Sequence, residues 1–436
     1  MLDLRFIREN SDAVKKNVAA RYVDADVDAV VTLYDKRNTS IQELEKLRAE
    51  RNDVAKRMKG RLETAERGAL IEQGKQLKTR IPELEAELKE TEKRLLEEAS
   101  RIPNMSHPDA PVGVGDDSNT EIKRSGTPRN FDFVAKDHIE IGTVLDLIDF
   151  ETATRVSGTK FYYLKNEAVV LELALVRFAL DIVTSHGFTA MITPDIARES
   201  VLAGIGYNPR GDESNIYTLE GDEGCLVGTA EITLGGYHMG EILEPDRLPI
   251  KYTGLSHCFR REAGAAGQFS KGLYRVHQFS KLEMFVFCRP EQSEALLEKL
   301  LAIEEQIFTD LEIPYRVVDT CTGDLGGPAY RKYDIEAWMP GRGDGGSYGE
   351  VTSCSNCTDY QARRLGVRYR TTDGKREFVH MLNGTAIAVS RGLIALLENH
   401  QNTDGSITIP PKLARYTGFT RIGPRTADKP AGESGR

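Results

Sequence analysis

The sequence predicts an α+β protein, a body of helices and strands preceded by a long antiparallel α-helical coiled-coil arm. Three observations carry this prediction. The first hundred residues are dominated by charge, with little glycine and almost no aromatic residue after Tyr34, and their apolar positions keep heptad spacing. Residues 103–130 (PNMSHPDAPVGVGDDSNTEIKRSGTPRN) concentrate Pro, Gly, Asp and Ser, the composition of a connector. Beyond Phe131 helix-like and strand-like patterns are mixed. They include two strand-like runs, 257–262 and 273–279, joined by a loop rich in Gly, Ala, Ser and Lys, as in an antiparallel pair.

Within the arm, Leu70, Leu77, Ile81, Leu84, Leu88, Thr91, Leu95 and Ile102 fall on alternating steps of three and four, the a/d seam of a coiled coil. Ile41, Leu44, Leu47, Val54 and Met58 give a looser stripe upstream. Two helices joined near Gly60 would bury these stripes against each other, and Pro82 predicts a kink or a break in the second. The turn AKRMKGR gathers Lys56, Arg57, Lys59 and Arg61 at the tip. Such charge is either a solvated face or a grip on phosphate backbone. The expected organisation is an arm over 1–110 (hairpin about 30–100), a linker over 111–130, a body over 131–416 and a disordered tail over 417–436, which lacks a hydrophobic pattern. In the body, Ala168, Leu171, Leu175, Phe178 and Ile182 trace one helix face ended by Gly187, followed by a strand at 188–193 running into Pro194. Leu296, Leu300, Ile303, Ile307 and Leu311 mark another helix; 315–318 and 333–338 read as strands.

At 436 residues the chain holds two or three domains, and 40% hydrophobic with 29% charged residues is an ordinary globular composition. No apolar run is long enough to cross a bilayer, and the opening MLDLRFI is too short and charged for a secretory signal. Asp3, Glu9 and Asp12 argue against a transit peptide, so a cytoplasmic location is expected. The net charge of −9 does not exclude a nucleic-acid partner, because a large enzyme needs only local basic patches. Of six cysteines only Cys354 and Cys357 form a CxxC; without a second pair or a nearby histidine they read as packing residues and no zinc site is expected.

Four stretches carry chemistry. Arg260, Arg261 and Glu262 on one run, with Arg275, His277, Phe279 and Glu283 on the next, offer an arginine fork, an aromatic face and carboxylates, which suits a nucleotide plus an amino acid. In Gly228-Thr229-Ala230-Glu231, a hydroxyl and a carboxylate two apart project to one side of an extended chain and together suit an ammonium group. The oxygens of Glu350-Val351-Thr352-Ser353 suit Mg²⁺ shared with phosphates. The run 380–391 (HMLNGTAIAVSR) leads into an apolar helix to about Asn399. The glycine cluster 341–349 (GRGDGGSYG) has neither a Walker ending nor a dinucleotide pattern and reads as a flexible surface loop. His138, His257 and His277 read as structural.

FRREAG, a loop, then RVHQFSKLEMF resembles motif 2 of the class II aminoacyl-tRNA synthetases in its seryl-tRNA synthetase form. The opening MLDLRFIRENSDAVKKN, the TAE triplet, the helix–strand–Pro before it (motif 1) and the 380–391 run (motif 3) resemble that family in order. GEVTSCSN resembles its commoner REISSCSN, with Gly349 and Thr352 as departures. The resemblance implies an antiparallel-sheet class II catalytic domain, a homodimer built at motif 1, and an amino-terminal arm that embraces the long variable arm of serine tRNA, with Lys56, Arg57, Lys59 and Arg61 as contacts. It implies that Arg260 bridges the serine carboxylate and the ATP α-phosphate. Glu262 would reach the adenine or ribose, Val276 would lie by the nucleotide, Phe279 would stack on the base and Arg391 would meet the γ-phosphate. Arg261, Val351, Thr352 and Ser353 complete the expected ATP set, with Glu350 the Mg²⁺ ligand. Thr229, Ala230, Glu231, Glu283, Asn383 and Thr385 form the expected serine set, Glu283 and Thr385 meeting its hydroxyl. A paralogue that keeps the arm but no longer activates serine, and a shortened homologue charging carrier proteins, are the competing expectations. The retained Arg260, Glu262, Glu283, Glu350 and Arg391 oppose the first, the intact arm the second.

Overall fold

A computed structural model describes residues 1–61, 63–207, 215–262 and 271–424. The chain divides into two compact units, Met1–Met105 and Ser106–Arg436. In the first, short helices α1 (Leu4–Glu9) and α2 (Ser11–Ala20) precede the long helices α3 (Val27–Arg57) and α4 (Thr64–Arg101). Asp26 starts α3 by accepting from the Ala29 amide. Leu44 and Val54 of α3 meet Leu70, Leu77, Ile81 and Leu84 of α4 in one buried cluster, so the heptad stripes are the packed faces. Leu47, Met58 and Leu88 pack half-buried against it, and Ile41 is half-buried. α4 runs through Pro82 without a break. Pro82 is exposed, so the carbonyl left without its amide partner lies on the side of the helix that faces water.

The second unit is organised around an eight-stranded sheet. Its strands are β1 (Thr120–Ser125), β2 (Thr189–Ile192), β3 (Ile250–Phe259), β4 (Gln278–Cys288), β5 (Tyr315–Asp319), β6 (Arg331–Met339), β7 (Ser347–Asn356) and β8 (His380–Ala388), in spatial order β1-β5-β6-β7-β8-β4-β3-β2. All neighbours are antiparallel except β2 and β3. The unit also contains helices α5 (Glu167–Ser185), α6 (Ala230–Gly236), α7 (Ser293–Asp310) and α8 (Val389–Asn399). Alternation along β4 feeds two cores. Leu282, Met284 and Val286 join a cluster with α5, α7 and α8, while Phe285 and Phe287 point to the other face, among Ile232 and Leu234 of α6. The odd-numbered side chains that precede Phe285 on its face, Phe279, Lys281 and Glu283, line a cavity.

Two expected boundaries differ. The stretch expected as linker, 111–130, contains β1, an edge strand paired with β5, and Thr322 and Gly323 donate to the Pro111 and Gly113 carbonyls. Five of the six β1 side chains, TEIKRS, are exposed, which is why no apolar alternation announced the strand. The tail expected as disordered from 417 is folded at its start. Thr417 ends a helix (Pro411–Thr417), and Arg421–Ile422 pairs with Ile407–Thr408, burying Ile422. Residues 425–436 lie outside the described residues.

Candidate active site

The cavity, of about 150 Å³, opens where β3, β4, β7 and β8 meet the start of α8. Its lining combines Glu231, Glu262, Glu283 and Glu350 with Arg260, Arg275, Lys281 and Arg391. Such a balanced set suits a ligand carrying both signs of charge.

The floor is almost dry. Glu283 is 2% exposed and its Oε2 lies 2.5 Å from Lys281 Nζ. The same oxygen accepts from Thr385 Oγ1 at 3.2 Å and Thr229 Oγ1 at 3.4 Å. Glu283 faces Thr385 because the β4–β8 register shifts between Leu282 and Glu283. Beside them Glu231 Oε1 accepts from Gln361 Nε2 at 2.8 Å and Asn383 Nδ2 at 3.1 Å. Burial, then the neighbouring Glu283 charge, pushes the Glu231 carboxyl up to about 7. The chain here is not extended as expected. Thr229 caps α6, its hydroxyl accepting from the Glu231 amide, so Ala230 and Glu231 are already helical and Thr229 and Ala230 lie behind the cavity wall.

The rim is wetter. Arg260 leaves the end of β3 with Nε donating to the Gly228 carbonyl at 3.2 Å and its Cζ 5.4 Å from the Phe279 ring centroid. His277 brackets it: the Arg260 amide donates to the His277 carbonyl, and Nδ1 of the imidazole donates back to the Arg260 carbonyl at 2.8 Å. Val276 and Phe279 line the wall, and Glu262 pairs with Arg275 at 3.2 Å. Arg261 does not reach the cavity. It is the exposed neighbour of Arg260, its amide held by the Asn215 carbonyl and its charge facing Tyr217. The loop residues 263–270 lie outside the described residues.

On β7 a register shift against β6 makes Val351 an extra residue, and Glu350 to Ser353 all border the cavity. The Glu350 side chain keeps 40% of its surface open and pairs with Arg391 Nη1 at 3.2 Å. Burial would raise this carboxyl, but the Arg391 and Lys332 charges outweigh it and hold it at about 2. Thr352 is committed elsewhere, its hydroxyl donating to Glu304 Oε2 at 3.2 Å beneath the sheet. Arg391 sits in the first turn of α8, whose amino terminus faces the cavity through Ala388 and Ser390, a favourable end for anions.

The sequence reading did not assign Lys281, Tyr274, Gln361, Ser390 or Tyr207 to the site. Lys281 was reachable, since it lies two residues before Glu283 on the same strand face. Tyr274 and Gln361 arrive from a turn and a distant helix, which leave no local signal. The glycine cluster 341–349 spans the turn after β6 and the start of β7, with residues 343–345 exposed. Its Arg342 fills the space beside the departure at Gly349, where a Cβ would overlap Arg342 Nη1. His138, unexpectedly central, is buried with Nδ1 2.8 Å from Glu398 and Nε2 accepting from the Leu273 amide. At the arm tip Lys56, Arg57, Lys59 and Arg61 are all exposed, and Arg57 pairs with Glu66 at 2.9 Å. All six cysteines are buried, with Cys357 Sγ 3.6 Å from Asn383 Nδ2. No helix among the described residues is long and apolar enough to cross a membrane.

An antiparallel sheet with an arginine on each side of a floor of buried polar groups defines a class II aminoacyl-tRNA synthetase core. Residues 217–400 match the model of the tRNA synthetase class II core domain (G, H, P, S and T), and residues 1–106 match that of the seryl-tRNA synthetase N-terminal domain. A serine–tRNA ligase of Treponema denticola is 63% identical over 97% of this chain and 100% of its own length. The crystal structure of seryl-tRNA synthetase from Pyrococcus horikoshii complexed with ATP superposes with a TM-score of 0.90 at 42% identity, covering 98% of this chain and 100% of that one. The cytoplasmic serine–tRNA ligase of Naegleria fowleri, in complex with AMP, gives 0.86 at 32% identity, covering 98% and 99%. The chain belongs to the seryl-tRNA synthetase family.

Proposed function

We propose that this protein activates L-serine with ATP to seryl-adenylate and transfers the seryl group to the 3′ end of serine tRNA. The observation that carries the reading is one cavity with two ends. A buried Glu283–Lys281–Thr385 floor suits a small hydroxyl-bearing side chain, and an Arg260–Glu350–Arg391 rim suits a triphosphate. Relatives that share almost the whole chain bear the name serine–tRNA ligase, and a solved neighbour was crystallised with ATP.

The serine carboxylate is ionised at neutral pH and needs no protein base to attack the α-phosphorus. The chain's contribution is positioning and charge. Arg260 reaches toward both the carboxylate and the α-phosphate, and Arg391, with the α8 amino terminus, draws on the departing pyrophosphate. Glu231, with Asn383 beside it, receives the ammonium group. Glu283 and Thr385, already joined at 3.2 Å, meet the side-chain hydroxyl, a hydrogen bond that alanine cannot offer. Val276 and Phe279 cover the base, Phe279 sharing its face with Arg260, while Glu262 is poised for the adenine or ribose. Mg²⁺ fits the donor set of an ionised, half-open Glu350 carboxylate beside Ser353, and when bound with ATP it would offset phosphate charge there.

Two assembly features belong to the same reading. A homodimer through the β2 edge is supported by the apolar side chains left open there, Ile192 at 86% and Leu173 of α5 at 66% exposure. The exposed cations at the arm tip suit the long variable arm of serine tRNA. A cytoplasmic location accords with these substrates.

Serine-dependent ATP–pyrophosphate exchange, run in parallel with threonine and alanine, tests the activation step; no preference for serine would end the proposal. Deleting residues 30–100 should spare exchange and weaken charging of serine tRNA. Equal charging by the armless protein would refute the arm's role.

A further inference from the structure

Tyr274 stands between two cavities. It lines the active cavity with Arg391, and a neighbouring one of about 220 Å³ with Arg342, each arginine lining one of the two. Both guanidinium groups lie over its ring, with Cζ 4.6 Å from the centroid in each case. The ring is also tied to Arg391 by hydrogen bonds. Its hydroxyl donates to the Glu350 carbonyl at 3.3 Å, Arg391 Nη1 donates to that carbonyl at 3.0 Å, and Arg391 Nε donates to the Tyr274 carbonyl at 3.4 Å.

Arg342 reaches the ring only because Gly349 has no side chain. A Cβ there would overlap Nη1, sit 2.9 Å from Cζ and come 3.3 Å from the Tyr274 hydroxyl. The base of the Arg342 loop and the start of the Tyr274 segment share one anchor. Gly341 donates its amide to Glu398 Oε2 at 2.9 Å, Glu398 Oε1 holds His138, and His138 Nε2 accepts from the Leu273 amide at 3.1 Å.

We propose that Arg342, seated in the Gly349 notch, is a positioning residue for the nucleotide end of the active cavity, acting through the Tyr274 ring on Arg391. The inference rests on the reading that this cavity joins an amino acid to ATP. It extends that reading to a residue outside the cavity and to a glycine whose role is to leave room. The ring transmits position because both cations lie over it, and Arg391 is hydrogen-bonded to the same residue.

A double-mutant cycle on the full chain tests this, with Arg342→Ala, Gly349→Ala and the double variant read by KM for ATP and for serine in pyrophosphate exchange. Each single change should raise the ATP KM roughly tenfold and leave the serine KM within about twofold. The double variant should be no worse than Arg342→Ala alone, because the added methyl then has room. Arg342→Gln, which fills the notch without charge, should match Arg342→Ala and does not depend on Gly349→Ala folding. Multiplying effects in the double variant, equal shifts in both KM values, or a glutamine variant that behaves as wild type would each overturn the proposal while wild-type exchange stands. A wild-type protein silent in exchange would instead remove the functional reading and this inference with it.

Discussion

Two ion pairs of this protein have similar lengths and different consequences. Arg57 and Glu66 meet at 2.9 Å near the arm tip with 48% and 46% of their side chains in water. Lys281 and Glu283 meet at 2.5 Å in the cavity floor with 7% and 2% exposed. At the tip, solvent screens the attraction, and both side chains lose freedom to hold it. In the floor no solvent replaces a lost partner, so each charge depends on the other. The contrast separates a pair whose partners water can replace from one that only its neighbours can satisfy.

The largest effect should come from the residue placed between the two ends of the cavity. Arg260→Ala should lower serine-dependent exchange by at least about 10³-fold, the scale of losing a charged group aimed at developing charge. Circular dichroism should show the fold intact, since Arg260 is only partly buried and its own hydrogen bond is to one carbonyl. A variant within tenfold of wild type would mean that the arginine is not aimed at the reacting atoms.

Next in size is the floor pair itself. Lys281→Met should destabilise the second unit by about 3–5 kcal/mol, because Glu283 is left buried without its cation. Lys281→Met with Glu283→Gln should recover most of that loss in chemical denaturation while remaining unable to use serine. If the single variant unfolds like wild type, the pair resembles the one at the arm tip and the contrast fails.

A pH series separates floor from rim more gently. Glu231, raised to about 7, must give up its proton to receive an ammonium group, so affinity for serine should rise with pH through that value. Between pH 6 and pH 8 the ionised fraction grows roughly tenfold, and the serine KM should fall by a similar factor. Glu350 is held at about 2 and stays ionised throughout, so it adds no pH dependence of its own to the ATP KM. Folding linkage has the opposite sign to binding. The folded state keeps the Glu231 proton that the unfolded chain has lost, so this group's contribution to stability falls from about pH 4.5 to 7. Glu231→Gln should flatten the serine profile; a profile that survives the substitution assigns the titration to another group.

How much of this was legible follows from range. The arm could be read because a coiled coil is specified by residues three and four apart; of the two strand-like runs around Arg260, the second is a turn until β4 begins at Gln278. Alternation would also have delivered Lys281 from Glu283. What failed to show was set by pairing across the sheet or by caps. Strand β1 is exposed on both faces, Thr229 caps a helix instead of lying in an extended segment, and the Thr352 hydroxyl bonds to Glu304, 48 residues away. Arg261 fell outside because consecutive side chains of an extended segment point to opposite sides.

The smallest effect expected is at the arm tip. Glu66→Gln removes the partner of Arg57 and should change stability by no more than about 0.5 kcal/mol, since both side chains are half in water. It also frees one guanidinium among the exposed Lys56, Lys59 and Arg61. If that cluster meets phosphates, the variant should bind serine tRNA slightly better, by about twofold at low salt, with the gain fading as salt rises. Exchange without tRNA should not change at all. A stability loss like that of Lys281→Met would show that half-exposed pairs in this arm carry the weight of buried ones. Unchanged tRNA affinity at every salt concentration would move the contact surface away from the tip.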